Sequence, residues 1–202
     1  PELGVTAYTC GDLFLQRRLI TAADAAVGEI AAATAGLDTL LVIGAPVRRG
    51  ASLFNCALVV YHGEVLGAVP KTNLPNYGEF YELRHFTPAP ECGGIITVAG
   101  REVPFGTDLV FSCREMPEFS FGCEICEDLW VPAPPSVRLA EAGAMIICNL
   151  SASDETVGKA AYRRSLVADQ SARLLAGYIY ADAGCGESTQ DMVFAGHDII
   201  GE

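Results

Sequence analysis

The apolar residues of this chain arrive in short runs, each stopped within a few positions by Gly, Pro or a charge. LLVIGAPV (40–47) and AMIICNL (144–150) are two of them. A short run without polar alternation fits a strand buried on both faces, and it falls far below the roughly 18 apolar residues of a membrane span. The chain must therefore build a sheet interior and cover it. With 202 residues it is long enough for one domain and for a core that needs no disulfide or metal staple. Half of the residues are apolar and the mean hydropathy is +0.30, which excludes intrinsic disorder. Thirteen basic residues against 25 acidic ones leave a net charge of −12. Such a surface repels phosphate backbones, so nucleic acid is excluded as a partner.

The order of segments predicts one α/β domain with extended segments in excess. Thr21 and Asp24 read as the N-terminal cap of an Ala-rich helix ending near Gly36. LLVIGAP (40–46) follows as a strand. FNCALVVY and EVLGAVP, separated by His62-Gly63, read as a β-hairpin. Lys71 to Pro90 has no clean period and reads as a long functional loop. REVPFGTDLVFS and EFSFGCEI supply further strands. Pro134-Pro135 opens a short helix ending near Gly143, and AMIICNL is again a strand. A third helix runs from about Gly158 to Ala176, and its small residues Ala161, Ser165, Ala168 and Ala172 are expected to let it approach a sheet closely. YIYADAG and MVFAGHDII close the chain as strands.

Eight cysteines are too few for a disulfide scaffold. Cys56 and Cys148 lie in apolar runs, where a free thiol behaves as a small hydrophobe. Without a signal peptide in view, a reducing cytoplasm is the expected compartment. Cys123 and Cys126 form a lone C-x-x-C with no second pair and no paired histidines, so no metal site is expected.

Cys126 sits where an apolar strand meets a Pro-rich turn. That position presents a sulfur to a cleft and leaves the Glu127 N–H free to face an oxyanion. The structural alternative is core filling. Glu124, Glu127 and Asp128 crowd the thiol with negative charge, so a working nucleophile there needs a cation nearby. Lys71 follows a strand and opens the long loop; the alternative is a solvated charge. Glu2 and Glu82 read alone as surface carboxylates. Taken singly, none of these residues fixes a function.

The ordered set carries more. P-E-L-x-x-T-x-Y from Pro1, V-P-K-x-x-L-P-x-Y-x-E-F-Y-E-x-R-x-F from Val69 and E-I-C-E-D-x-W-x-P from Glu124 resemble the carbon–nitrogen hydrolase (nitrilase) superfamily. NLSAS, the Arg163-Arg164 segment and GCGESTQD resemble, more narrowly, the glutaminase domains of glutamine-dependent NAD+ synthetases. The resemblance implies a four-layer α-β-β-α sandwich that pairs through a helical face, giving a homo-oligomer. It implies a Glu–Lys–Cys triad in which Glu2 is the general base, Lys71 stabilises thiolate and oxyanion, and Cys126 is the nucleophile forming a thioester. Glu82 corresponds to the family's second glutamate, which positions Lys71. Tyr8, Tyr77, Glu127, Trp130 and Ser153 fall where the L-glutamine pocket would lie; for the aromatic residues core packing is the alternative.

The resemblance further implies that ammonia from glutamine passes to a synthetase domain of the same parent chain. That domain, with its ATP and Mg, would amidate nicotinic acid adenine dinucleotide; residues 1–202 hold no SGGxDS-type motif and read as the amidase domain alone, without a cofactor or membrane contact. The family has a strand and a helix before P-E-L, so this chain is expected to be truncated there. An α-amino group beside Glu2 and an open sheet edge would then leave it weakly active. Three other readings compete: a free-standing amidase acting on another C–N bond, a catalytically idle scaffold, and a redox C-x-x-C module.

Overall fold

The computed structural model describes residues 1–189 and 191–202. Two five-stranded sheets face each other. The first contains β1 (Leu41–Arg49), β2 (Ser52–Tyr61), β3 (Glu64–Pro70), β4 (Gly94–Val98) and β5 (Arg101–Phe105), in the order β1-β2-β3-β5-β4. The second contains β6 (Phe111–Ser112), β7 (Ser120–Ile125), β8 (Ile146–Leu150), β9 (Gly177–Ala181) and β10 (Ile199–Gly201), in the order β10-β9-β8-β7-β6. Its three central strands are parallel and its edges antiparallel.

Helix α1 (Arg17–Ala33) covers the first sheet. Its Val27 and Ala31 pack on Phe54, Cys56, Leu58 and Val60 of β2. The opposite face of β2 sends Ala57 and Val59 toward Phe121, Cys123 and Ile125 of β7, forming the layer between the sheets. Helices α2 (Pro135–Glu141) and α3 (Lys159–Leu174) cover the far side, over Ile147, Tyr178 and Tyr180. The result is the four-layer α-β-β-α sandwich. β2 explains why: it is buried on both faces, as its largely apolar run requires.

The hairpin at His62-Gly63 forms with Tyr61 opposite Glu64, and both turn residues have positive φ, 46° and 83°. That is the backbone a two-residue primed turn demands. A second tight hairpin, Val98 to Arg101, turns on Ala99 and Gly100 at φ 48° and 76°; its first strand, β4, was not expected from sequence.

Five expectations require correction. Helix α1 starts at Arg17 rather than Thr21. Asp24 does not cap it: the carboxylate accepts the Ala99 N–H at 2.7 Å and so fastens α1 to the second hairpin. The stretch REVPFGTDLVFS is not one strand but two, β5 and β6, which belong to different sheets. On α3 the small residues Ala161, Ser165, Ala168 and Ala172 face outward, while Arg163, Val167, Gln170 and Ser171 face the sheet. Close approach is therefore made by polar side chains with buried partners. Finally, MVFAGHDII is strand only over Ile199–Gly201, because the Gly196 and Asp182 N–H groups bond to Ala183 and Asp198 in a turn before it.

Candidate active site

Three segments converge at one end of the sandwich. The first is Pro1–Thr6, which runs beside β1: the Val5 N–H bonds to the Gly44 carbonyl at 3.0 Å and the Glu2 N–H to the Ser151 carbonyl at 3.1 Å. Only glycine fits at position 44, because a Cβ there would stand 2.4 Å from the Leu3 nitrogen. The second is the end of β3, where the Lys71 N–H bonds to the Asn55 carbonyl at 2.8 Å. The third is the end of β7, where the chain turns sharply at Cys126, a non-glycine residue at φ 46°. Such a backbone costs roughly 1–3 kcal/mol and persists only where its surroundings enforce it.

The Lys71 ammonium sits between two carboxylates, 2.6 Å from Glu2 Oε1 and 2.6 Å from Glu82 Oε1. All three residues are buried. Asn55 Nδ2 donates to Glu2 Oε1 at 2.6 Å, and Tyr8 Oη to Glu82 Oε1 at 2.7 Å. The second oxygens, Glu2 Oε2 and Glu82 Oε2, are buried without a partner among the described residues. A buried acceptor left open in this way is ready to take a proton or bond a substrate.

Electrostatics bind the group together. Burial alone would lower Lys71, but the charges of Glu2, Glu82 and Cys126 more than offset it and hold the ammonium well above its ordinary value. Burial lifts Glu82 to about 7 against the opposing pull of Lys71. Burial also pushes the Cys126 thiol up, and Glu2 adds to this, while Lys71 and the Ala152 N–H favour the thiolate. The cation that the acidic neighbours of Cys126 called for is thus beside it.

A cavity of about 340 Å³ opens at the thiol and is lined by Tyr77, Glu127, Trp130 and Ser153 together with Asp154 and Lys159. That size suits a small polar ligand. Tyr77 Oη donates to the Glu127 carboxylate at 2.9 Å. Lys159 pairs with Asp154, and its ammonium lies 5.4 Å from the Trp130 ring centroid. Tyr8 lies outside this cavity, behind Glu82 in a smaller one lined by Phe14 and Phe86. The structure therefore gathers Glu2, Lys71, Glu82 and Cys126 in one cluster and four of the five pocket residues on one cavity.

Several residues hold the site in ways that the sequence reading did not assign to them. Asp128 accepts the Asn73 N–H at 2.8 Å and the Ile125 N–H at 3.1 Å, tying the loop after Lys71 to the turn at Cys126. Buried Arg163 donates to Ser153 Oγ at 3.3 Å, to the Asp154 carbonyl at 3.2 Å and to Glu155 at 3.1 Å, fixing one wall of the cavity. Asn55 was discoverable: it is a polar residue inside an otherwise apolar strand, where it needs a buried partner. Among the described residues no group of three His, Cys, Asp or Glu side chains could hold a metal, and no helix is long and apolar enough to cross a membrane.

A buried thiol on a strained turn thus lies beside a shared ammonium and two carboxylates at the end of an α-β-β-α sandwich. The profile described as carbon-nitrogen hydrolase matches residues 1–197, and the chain belongs to that family. Over its full length it is 45% identical to the glutamine-dependent NAD(+) synthetase of Mycobacterium tuberculosis, and over 196 residues it is 32% identical to the enzyme of that name from Saccharomyces cerevisiae. It spans 30% and 27% of those relatives. The crystal structure of a glutamine-dependent NAD(+) synthetase from Cytophaga hutchinsonii superposes with a TM-score of 0.86 at 33% identity, covering all of this chain and 32% of that one. An amidase from Nesterenkonia shares the fold, with a TM-score of 0.71 at 21% identity over 99% of this chain and 69% of its own.

Proposed function

We propose that this chain is the amidase part of a glutamine-dependent NAD+ synthetase and hydrolyses the side-chain amide of L-glutamine. The observation that carries the chemistry is the Lys71 ammonium clamped between Glu2 and Glu82 beside the buried thiol of Cys126. Glu2 Oε2, without another partner among the described residues, takes the thiol proton as sulfur attacks the amide carbon. The oxyanion of the tetrahedral intermediate is met by Lys71 and by the Glu127 N–H. Collapse breaks the C–N bond, Glu2 returns the proton to the leaving nitrogen, and ammonia departs. Water, deprotonated by Glu2, then attacks the thioester carbon; glutamate leaves and the thiol is restored.

The pocket supports an amino-acid amide. Its acidic Glu127 and Asp154 suit an ammonium, and Lys159 suits a carboxylate, so opposite charges line one cavity as a zwitterion requires. On this reading the ammonia serves a synthetase domain elsewhere in the parent chain, which amidates nicotinic acid adenine dinucleotide with ATP; the enzyme is cytoplasmic and homo-oligomeric.

Ammonia release from L-glutamine, compared between this chain and Cys126→Ala, tests the proposal. We expect release that is lost in the variant and that exceeds release from simple amides such as butyramide. Equal release by both proteins, or a preference for simple amides, would overturn the glutamine assignment.

A further inference from the structure

Behind Cys126 lies a set of buried polar groups that the reaction above does not use. Glu124 projects from β7, Asn149 from β8 and Tyr178 from β9, all toward the helix side of the second sheet and all essentially inaccessible to solvent. The Ser136 N–H, at the start of α2, donates to Glu124 Oε2 at 2.8 Å. Tyr178 Oη donates to Glu124 Oε1 in a short hydrogen bond. Asn149 Nδ2 donates to Tyr178 Oη at 3.0 Å. On its other side, Asn149 Oδ1 accepts the backbone N–H of Cys126 at 3.2 Å and Ser151 Oγ at 2.7 Å.

The direction of every bond in this chain follows from its two ends. A backbone N–H can only donate, so Glu124 Oε2 is an acceptor, and with the carboxyl ionised its other oxygen accepts the Tyr178 O–H. Tyr178 Oη is then free to accept, and Asn149 must turn its NH2 toward it. Only that orientation leaves the amide oxygen facing Cys126. Flipping Asn149 would set its NH2 against the Cys126 N–H, donor to donor, in a site without solvent to rescue either.

We propose that Glu124, acting through Tyr178 and Asn149, is a positioning residue for the nucleophile: it fixes the amide oxygen that holds the Cys126 N–H and with it the left-handed turn that presents the sulfur. The role assigned to Cys126 rests on the function proposed above, whereas the hydrogen-bond relay does not. Isosteric change should reverse the relay without removing volume. In Glu124→Gln the new carboxamide oxygen must serve the Ser136 N–H, so its NH2 faces Tyr178 Oη. That oxygen then receives two donors, and its own proton loses its acceptor.

The test follows amide hydrogen exchange by NMR in this chain, in Glu124→Gln and in Tyr178→Phe, beside steady-state ammonia release. We expect the Cys126 amide to exchange about five- to tenfold faster in each variant, the loss of one net hydrogen bond, while amides paired within β7 and β8 keep their protection. The turnover number should fall by about tenfold or more with KM unchanged. The double variant should add little, because both changes cut the same relay. Unaltered exchange at Cys126 in both variants would overturn the proposal, and so would faster exchange spread evenly over β7 and β8, which would mark Glu124 as a general support of the sheet. If this chain releases no ammonia at all, the function fails while the exchange data still decide the relay.

Discussion

One ammonium serving two buried carboxylates makes Lys71 the most consequential charge in the molecule. Removing it leaves Glu2 and Glu82 facing each other in a site closed to water, and breaking a buried pair in this way costs about 3–5 kcal/mol. Lys71→Met should therefore lose Cys126-dependent ammonia release and unfold at distinctly lower urea at pH 7. The stability loss should shrink at pH 5, since a neutral carboxyl needs no cation; a loss equal at both pH values would refute the electrostatic account. At this scale the sequence reading reached Glu2, Lys71, Glu82 and Cys126 only as an ordered set matching a family, because each alone resembles an ordinary surface or core residue. Asp128 was seen as one more negative charge near the thiol. Its actual work, joining two loops 55 residues apart through the Asn73 N–H, depends on a contact that no local pattern records.

Elements bring these residues together through close backbone approach. The Pro1–Thr6 segment reaches its place beside β1 only because residue 44 lacks a Cβ. Gly44→Ala should push that segment away and draw Glu2 out of reach of Lys71. Displacing a catalytic group by an ångström costs on the order of a hundredfold in rate. We expect ammonia release to drop by about that factor, with a smaller change in thermal midpoint; unchanged turnover would show that the segment has room to move. The β2–β3 hairpin was legible because His62-Gly63 carries its own conformational signal. The start of α1 was not. Asp24 looks like a cap in sequence, yet a distant N–H at Ala99 captures it, and the helix begins a turn earlier on tertiary support.

For the molecule as a whole, buried carboxyls set the pH response. Burial raises both Glu82 and Glu124 to about 7, against about 4.3 for glutamate in an unfolded chain. Between those values the folded protein holds protons that the unfolded chain has released, so their contribution to stability is full below about pH 4 and is lost as pH rises through 7. His197, held below its ordinary value first by burial and then by Arg163 and Arg164, acts in the opposite sense. Urea midpoints at pH 5 and pH 8 should therefore differ less in Glu124→Gln than in this chain, and an identical difference would contradict the shift. The sequence by itself determined the α/β class, the doubly buried strands, the long loop after Lys71 and the ordered motifs, because periodicity, turn chemistry and residue order are local properties. The tertiary structure alone decided which carboxylates share Lys71, which face of α3 meets the sheet, and what holds the Cys126 turn. Those depend on burial and on partners far along the chain, and a polar group's role is settled only when its partner is in reach.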